Sequence, residues 1–444
     1  MQAGANGVTR SIATCAALAL TFLVAAAAAP AQDLDPQFGA GDIVLAPRSS
    51  QPAFFTAHPG AIAPADGGGW WWAMEAGDGT IALGRIDASG APDTSFGGGT
   101  GRMTLVDCVG NGTLDLQPAT NGRVVLWTGR CLQRRMGNGA LDATFATLGS
   151  IDVGILSISR LRRDSQARLV LAGSAANTWH AYRFDADGHP DTSFGDAGHV
   201  LPLIPSSNGF RGLTSLALRA DDTIVLGGWR GNTNGPSLVL FGLTADGAPD
   251  PVFGSAGLVD VPHHGGDATV RAHDVVAQPD GSVLVAGERS GSVACCVLFA
   301  RFSRAGQLDP VVGLRAFPLG NETLGVFFEM RAAIGAAPDG GAWLTRNLFP
   351  SSPPGHRTQF TLIRVTASGE LDTSFAGRGW RNWSVNEPHS HAPAGDYIQL
   401  HDTVFEPGAI QLFGRTFFED DGSGADYVTF ARIRLDTAFA DGFE

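Results

Sequence analysis

The stretch RFDADGHPDTSFGDAGHVLPL, residues 183–203, holds the pattern that decides the fold. Its centre is the mark Asp191-Thr-Ser-Phe194, with a glycine three residues and an arginine eight residues before the aspartate. The segment after the mark is short, apolar and bounded by glycine and proline, which is typical of a β-strand. The same pattern recurs along the chain, so the number and spacing of its copies determine the architecture.

The Asp-x-x-Phe mark occurs eight times and encloses seven intervals of 58, 49, 49, 59, 59, 63 and 64 residues. Val312 takes the place of phenylalanine in the sixth mark. The marks are Asp35–Phe38, Asp93–Phe96, Asp142–Phe145, Asp191–Phe194, Asp250–Phe253, Asp309–Val312, Asp372–Phe375 and Asp436–Phe439.

Each interval also contains a tight turn followed by an apolar run, such as Pro279-Asp280-Gly281 before Val283-Leu284-Val285. Such turns between apolar runs indicate β-hairpins, so each interval predicts four short strands, the first of them directly after the mark. No segment shows a sustained helical period. We therefore predict an all-β fold, a single seven-bladed β-propeller of four-stranded antiparallel blades whose chain ends meet.

The marks, written Leu/Pro-Asp-x-x-Phe-Gly-x-x-Gly, resemble those of the bacterial delta-60 repeat family, a β-propeller family of unknown function. The resemblance covers residues 33–440 and implies the propeller fold, with no activity, cofactor or catalytic residue attached to it. Departures from the pattern are Val312 and the alanines that replace the glycine after the mark, Ala146, Ala376 and Ala440.

The first 31 residues have the features of a secretory signal: Arg10, an apolar run and the cleavage pattern Ala29-Pro30-Ala31. We expect a protein that is secreted, periplasmic or on the surface of a bacterium after cleavage. No later segment is apolar enough to span a membrane. The predicted organisation is a signal at 1–31, a propeller at 32–440 and a closing segment with a short tail at 436–444, with repeats at 35–92, 93–141, 142–190, 191–249, 250–308, 309–371 and 372–435.

Residues that recur in every repeat are expected to build the ring, because a propeller needs one site rather than seven. The phenylalanines should pack between blades, the glycines should adopt positive φ, and the aspartates should bind backbone N–H groups or a repeated arginine. A metal role for the aspartates is the alternative. The residues assigned to this structural set are Asp93, Phe96, Asp142, Phe145, Asp191, Phe194, Asp250, Phe253, Asp372 and Phe375. The arginines lie at Arg85, Arg134, Arg183, Arg301 and Arg364, and Gly242 interrupts the series.

The formal net charge of −13 argues against nucleic acid and anionic membranes as partners. It is compatible with cations, neutral glycans or basic proteins, so we expect an unknown protein or glycan partner and a monomeric chain. Cysteines of an exported chain favour disulfides, and Cys108 with Cys131 is the predicted pair. For the adjacent Cys295 and Cys296 we favour two thiols over a strained vicinal bridge.

Antiparallel order places the tight turns and the marks on one face, here named the corner face. The opposite, long-loop face carries the irregular insertions and is the expected binding face. It holds weak metal candidates in His389, His391 and His401, the last followed by Asp402. A second cluster contains His263, His264 and His273, the last followed by Asp274. Asp420 and Asp421 are possible Ca²⁺ ligands. A solvated loop is favoured in each case, and no cofactor is predicted.

The run Trp70-Trp71-Trp72 favours packing between blades, with an exposed sugar-stacking tryptophan as the alternative. The predicted function is a non-catalytic binding or surface scaffold. The alternative is a secreted hydrolase or lyase that acts on polysaccharide in the central funnel. Two or three carboxylates with perturbed pKa values converging on the axis would favour the enzyme.

Overall fold

The structure is a computed structural model, and it describes residues 34–435 with gaps. The predicted signal at 1–31 lies outside the described residues. The described residues are 34–39, 44–47, 60–75, 80–108, 110, 113–154, 157–206, 209–232, 235–261, 269–290, 296–319, 332–348, 359–383, 397–418 and 425–435.

Within these residues the strands form seven antiparallel sheets of four, as predicted. The first four blades are formed by β2 (Ala61–Pro64), β3 (Trp70–Glu75), β4 (Ile81–Ile86) and β5 (Arg102–Leu105); β6 (Asp115–Ala119), β7 (Arg123–Trp127), β8 (Cys131–Arg135) and β9 (Ser150–Asp152); β10 (Ser157–Arg163), β11 (Leu169–Ala175), β12 (Thr178–Phe184) and β13 (His199–Val200); and β14 (Arg211–Leu218), β15 (Ile224–Asn232), β16 (Gly235–Leu243) and β17 (Leu258–Val261).

The remaining three blades complete the ring, and the seventh takes its outer strand from the start of the chain. They are formed by β18 (Thr269–Ala277), β19 (Val283–Ser290), β20 (Val297–Phe302) and β21 (Leu314–Phe317); β22 (Ala333–Ala336), β23 (Ala342–Leu348), β24 (Gln359–Val365) and β25 (Trp380–Trp383); and β26 (Tyr397–Glu406), β27 (Ala409–Phe418), β28 (Ala425–Arg434) and β1 (Val44–Pro47).

Sequence repeats and sheets are out of phase by one strand, which corrects the predicted role of the marks. The strand after each mark does not begin a new sheet: β13 follows the mark Asp191–Phe194 and pairs with β12, the strand before it. The mark is therefore a corner between the third and fourth strands of one blade, and not a crossing between blades. Each interval still contains four strands, but they come from two neighbouring sheets.

The ring closes both at its centre and at its edge. The first strands of the seven blades contact one another in a complete cycle, β2–β6–β10–β14–β18–β22–β26 and back to β2. Because only innermost strands can form such a cycle, they surround the axis. At the edge, β1 pairs with β28 over Val44–Pro47, so the two chain ends meet in blade 7, as predicted.

The antiparallel order places the hairpin turns and the corners on the same side of the ring, the corner face. Contacts between successive corners support this arrangement: the N–H of Gly195 donates to the carbonyl of Asp246 at 2.8 Å, and that of Gly254 donates to Ala305 at 2.8 Å. The connections between the second and third strands, and those between blades, leave from the long-loop face.

Each corner is built around its aspartate. In the corner of blade 3, Asp191 Oδ1 accepts the Ser193 N–H at 3.0 Å and the Ser193 hydroxyl at 2.6 Å, while its other oxygen accepts from Arg183 at 2.8 Å. Equivalent backbone bonds form at Asp93, Asp142, Asp250, Asp309 and Asp372. The carboxylates thus satisfy turn N–H groups that the strands leave unpaired.

The phenylalanine of one corner packs against the glycine of the next corner. Phe145 is fully buried, and a Cβ on Gly188 of the next corner would lie 2.7 Å from its ring. Gly188 also has a φ of +85°, in the left-handed region that other residues avoid. The same fit joins Phe194 to Gly247, where the distance would be 2.9 Å. At these two corners the aromatic ring therefore packs against the glycine of the next blade.

An arginine guanidinium lies over these phenylalanine rings. A different arginine provides it in the repeat where Gly242 replaces the usual one. The guanidinium of Arg183 lies 4.6 Å from the centre of the Phe194 ring. Where the series is interrupted by Gly242, Arg219 comes from the neighbouring hairpin turn and places its guanidinium 5.2 Å from Phe253. A guanidinium therefore also lies over the Phe253 ring, although it is provided from a different position in the sequence.

Candidate functional site

Most residues proposed as metal ligands on the long-loop face lie outside the described residues. These are His389, His391, Asp420 and Asp421, together with His263 and His264. The described candidates are His401 and His273, which belong to first strands rather than to loops. The search for a site therefore moves from the loops to the axis.

The tryptophan run of blade 1 offers no exposed ring. Trp70, Trp71 and Trp72 are all buried, at 2%, 1% and 4% exposure. Trp71 contacts Phe96 edge-on at 5.3 Å, while Trp72 lies between Phe413 and Phe430 of blade 7. Packing between blades is confirmed, and the sugar-stacking alternative is wrong.

Cys108 and Cys131 form the predicted disulfide, which ties the connection after β5 to β8. Cys296 is also disulfide-bonded, so the preference for two thiols in that pair is wrong. In the described part of the chain, the cluster of three potential metal ligands is Cys108, Cys131 and Asp152. The disulfide occupies both sulfurs and Arg130 pairs with Asp152 at 2.6 Å, so these groups are already committed.

One position in the first strand of every blade forms a ring around the axis, here named the axial ring. Unlike the corner, it carries different residues in different blades. A β-bulge comes directly before it in blades 3, 4, 5 and 7, where bulges commonly re-aim a side chain. The members of the axial ring are Ala61, Asp115, Arg160, Ser215, Asp274, Ala333 and Asp402.

The three axial aspartates clamp neighbouring blades together. Asp115 Oδ2 accepts the N–H of Leu161 in blade 3 at 2.7 Å. Asp274 Oδ2 accepts the N–H of Ile334 in blade 6 at 3.1 Å, and its Oδ1 accepts the Ser215 hydroxyl at 2.6 Å.

Asp402 makes the equivalent clamp across the seam where the ring closes. Its Oδ2 accepts the N–H of Ile62 in blade 1 at 3.1 Å, and its Oδ1 accepts the N–H of Thr403 at 3.0 Å. Asp115 Oδ1 accepts the N–H of Leu116 at 2.8 Å, so every axial carboxylate oxygen has a protein donor.

The two histidines next to these aspartates make parallel clamps. His401 Nδ1 accepts the N–H of Gly60 at 2.7 Å, and His273 Nδ1 accepts the N–H of Ala332 at 3.4 Å. Both are the bulged residues that precede the axial position. Because the Nδ1 lone pair is used between blades, that atom is not available to a metal.

Arg160 is the single cation of the axial ring and is only 8% exposed. Its Nη2 lies 3.8 Å from Asp274 Oδ1, which is an ion pair but too long for a hydrogen bond. Its buried Nε has no hydrogen-bond partner. Within the described chain, charge rather than hydrogen bonding therefore holds the guanidinium.

Electrostatics connect Arg160 to three blades at once. Burial lowers the pKa of its guanidinium, but the carboxylates of Asp274, Asp402 and Asp115 outweigh burial and the pKa is raised. Burial raises the pKa of the Asp402 carboxyl; Arg160 opposes that shift and Asp115 adds to it. Since these residues come from blades 2, 3, 5 and 7, their charges can meet only near the axis.

The axial ring is better suited to binding than to proton transfer. Protonation of an axial aspartate, or attack by it, would break a bond that joins two blades. Arg160 stays charged at any physiological pH and therefore donates hydrogen bonds without exchanging protons. The arrangement can hold a polar group at a fixed place near the axis.

Sequence reasoning missed Asp115 and Arg160 and treated Asp274 and Asp402 only as companions of histidines. A positional signal was present: Asp115 and Asp274 each lie six residues before a turn residue, Asn121 or Asp280. Ser215 and Ala333 occupy the same place before Asp221 and Asp339. Because the residue type changes from blade to blade, no motif marks the ring.

Comparison with known proteins supports the fold and assigns no activity. Residues 168–194 match a family described as a domain of unknown function (DUF5122) beta-propeller. No curated protein sequence matches the chain. Among the described residues, none of the helical segments has the length and apolar character needed to cross a membrane.

Solved structures similar to the chain include two enzymes and a beta-propeller domain. A gluconolactonase from Xanthomonas campestris shares 15% identity over 70% of this chain and 82% of that one, with a TM-score of 0.34. The Nup133 beta-propeller domain of Vanderwaltozyma polyspora shares 10% identity over 88% of this chain and 97% of that one, with a TM-score of 0.46. The NanB sialidase of Streptococcus pneumoniae shares 10% identity over 88% of this chain and 70% of that one, with a TM-score of 0.39. The seven sheets and the family match together identify the chain as a β-propeller.

Proposed function

We propose that the protein is an exported, non-catalytic binding propeller of the delta-60 repeat type, with a protein or a glycan as its partner. The observation that carries this proposal is the commitment of every axial carboxylate oxygen to an N–H or hydroxyl donor of the protein. General acids, bases and nucleophiles need an atom free to exchange a proton or form a bond with substrate. The axial ring instead holds its carboxylates in structural bonds.

Export is supported by the cysteines. Cys108–Cys131 is a disulfide and Cys296 is disulfide-bonded, and such bonds persist in oxidising compartments. Fractionation of the source bacterium tests this part of the proposal: the chain should occur outside the cytoplasm, with its amino terminus at or near residue 32. Recovery of the full-length, reduced chain from the cytoplasm would contradict it.

One observation favours a second candidate, a polysaccharide hydrolase or lyase with its site on the axis. Burial raises the pKa of Asp402, as would suit a general acid, and Asp115 lies within electrostatic reach of it. The bonds from Thr403 and Ile62 to the Asp402 oxygens oppose this reading, because a general acid would have to release them.

A paired experiment separates the two functions. The mature chain and the Asp402→Asn variant are applied to glycan and protein arrays and, in parallel, incubated with the same polysaccharides to look for new reducing ends or unsaturated products. A binding protein gives array signals without products. Turnover by the wild type that disappears in the variant would establish the enzyme instead.

A further inference from the structure

The axial ring contains a charged side chain whose hydrogen-bonding capacity the protein does not use. Arg160 is more than nine-tenths buried, and its Nε has no partner. Its nearest carboxylate oxygen, on Asp274, lies at 3.8 Å. A guanidinium presents five donors in a fixed fork, and leaving buried donors unpaired is costly, so acceptors that do not belong to the described chain suit this place.

The charges around Arg160 limit which acceptors fit. Asp115, Asp274 and Asp402 surround it, and Arg162 lies at the edge, 3.5 Å from Asp115. An anionic ligand would bind the guanidinium but would face three carboxylates. A cation would meet the guanidinium itself, and the carboxylate oxygens that could bind it already accept protein donors. A neutral group avoids both penalties.

The carboxylates add a second requirement. Each carboxylate oxygen has two lone-pair sites, and the clamps between blades occupy about one on each oxygen. The remaining sites can accept hydrogen bonds from a ligand while Arg160 donates to it. A hydroxyl group does both at once, since it accepts from the guanidinium and donates to a carboxylate.

We propose that Arg160, with Asp274 and Asp402, forms a binding site at the axis of the ring for a neutral polyhydroxylated ligand, either a small polyol or the terminal sugar of a glycan. The site rests on the binding function proposed above and specifies its ligand class. Neighbouring hydroxyls would bridge the 3.8 Å gap between Arg160 and Asp274. The axial ring would then serve two purposes, joining the blades and recognising a sugar between them.

Calorimetric titration of the mature chain tests the proposal with stated probes. The neutral probes are glucose, galactose, mannose, xylose and sorbitol as free molecules, and maltotriose and cellotriose as glycans with a terminal sugar. Glucuronate and calcium chloride serve as anionic and cationic probes. At least one neutral probe should bind, and it should bind more tightly than glucuronate or calcium. Preference for a charged probe would overturn the proposal.

Substitution of Arg160 identifies the site. Arg160→Met should weaken binding of the neutral probe by about 10- to 100-fold, as expected for hydrogen bonds to a charged group. Arg163→Met is the matched control, because this arginine of the same strand already donates to the Pro118 carbonyl at 2.8 Å. It should leave the affinity within about twofold. Equal losses in both variants would overturn the proposal.

Folding of the variants is followed by circular dichroism, and Arg160→Lys provides a second variant that keeps the positive charge among the carboxylates. It should fold like the wild type and still bind more weakly, because an ammonium lacks the planar fork. A crystal structure of the wild type with the bound probe should place hydroxyl oxygens within hydrogen-bond distance of Arg160. A structure in which only water occupies this place would overturn the proposal.

The outcome also distinguishes this inference from the binding function on which it rests. If array ligands bind the wild type and Arg160→Met equally well, the axial site is wrong and the binding function stands. If the wild type turns over a polysaccharide and Asp402→Asn does not, the binding function itself is wrong.

Discussion

The corner face and the axial ring are both built from one position per blade, but only the corner repeats its residues. At the corner, an aspartate, a phenylalanine and a glycine recur because each blade must grip the next in the same way. At the axis the equivalent position holds aspartate, arginine, serine or alanine. Where the preceding blade has alanine, Asp115 and Asp402 each accept the N–H of their own next residue, in the place where Asp274 accepts the Ser215 hydroxyl.

The recurring corner residues build the ring, and the variable axial residues give this ring its own chemistry. A corner residue can be understood from any one repeat. An axial residue can be understood only from the whole ring, because Arg160 finds its carboxylates in blades 2, 5 and 7. The predictions that follow test whether stability resides mainly in the corners and individual chemistry in the axis.

The largest effect is expected at a corner ring. Phe194→Ala removes a fully buried side chain that packs against Gly247 and lies under Arg183, so the free energy of unfolding should fall by about 3–5 kcal/mol. Urea unfolding measures it. Phe210→Ala, at an exposed phenylalanine, is the control and should change stability by less than about 0.5 kcal/mol. Similar losses at both positions would show that the corner rings are not the locks between blades.

The next effect is expected at an axial clamp. Asp274→Ala leaves the Ile334 N–H and the Ser215 hydroxyl without their acceptor and takes the nearest counter-charge from Arg160. The cost should be about 2–4 kcal/mol, as for a broken buried network. Asp93→Ala removes a half-buried corner carboxylate and should cost only about 1 kcal/mol. An equal or larger loss at Asp93 would reverse the assigned importance of the two aspartates.

A smaller effect isolates the contact between corners from backbone strain. Gly188 and Gly408 have φ of +85° and +80°, but only Gly188 faces a neighbouring ring, that of Phe145. Gly408→Ala should therefore cost about 1 kcal/mol for the left-handed backbone alone. Gly188→Ala should cost about 1–3 kcal/mol more, because its Cβ overlaps a packed side chain. Comparable thermal unfolding temperatures for the two variants would remove the contact from the explanation.

The sequence was sufficient to predict the fold because the corner is a local device. The mark, its glycine and its arginine lie within about ten residues of each other, and the turn chemistry of each is readable without knowledge of the rest. The assignment of strands to sheets could not be predicted from the sequence. Whether the strand after Phe194 pairs backwards with β12 or begins a new blade depends on hydrogen bonds that the pattern of apolar residues does not distinguish.

The candidate site was largely hidden for the opposite reason. Asp274 and Asp402 drew attention through the histidines beside them, and those histidines suggested a metal site. In the structure His273 and His401 accept backbone N–H groups of the next blade, which only the closed ring brings near. Asp115 and Arg160 had no local signal, because burial and the meeting of charges from four blades are properties of the assembled axis.

The smallest predicted effect concerns pH, where corner and axis should respond with opposite sign. At Asp191, burial alone would raise the pKa, but bonds from Ser193 and Arg183 outweigh it and hold the pKa below 3.8. Its ionisation therefore stabilises the fold above about pH 4, and that stability is lost as the pH falls further. At Asp402 burial raises the pKa, so ionisation costs stability at neutral pH and the cost disappears on acidification. The measurement is the free energy of unfolding in urea, compared with the wild type at each pH. As the pH is lowered from about 6 to about 3, the stability lost by Asp191→Asn should become smaller. Over the same range, the stability of Asp402→Asn relative to the wild type should decrease. Shifts of the same sign would mean that the two carboxylates experience the same environment, and the distinction between corner and axis would then not extend to their electrostatics.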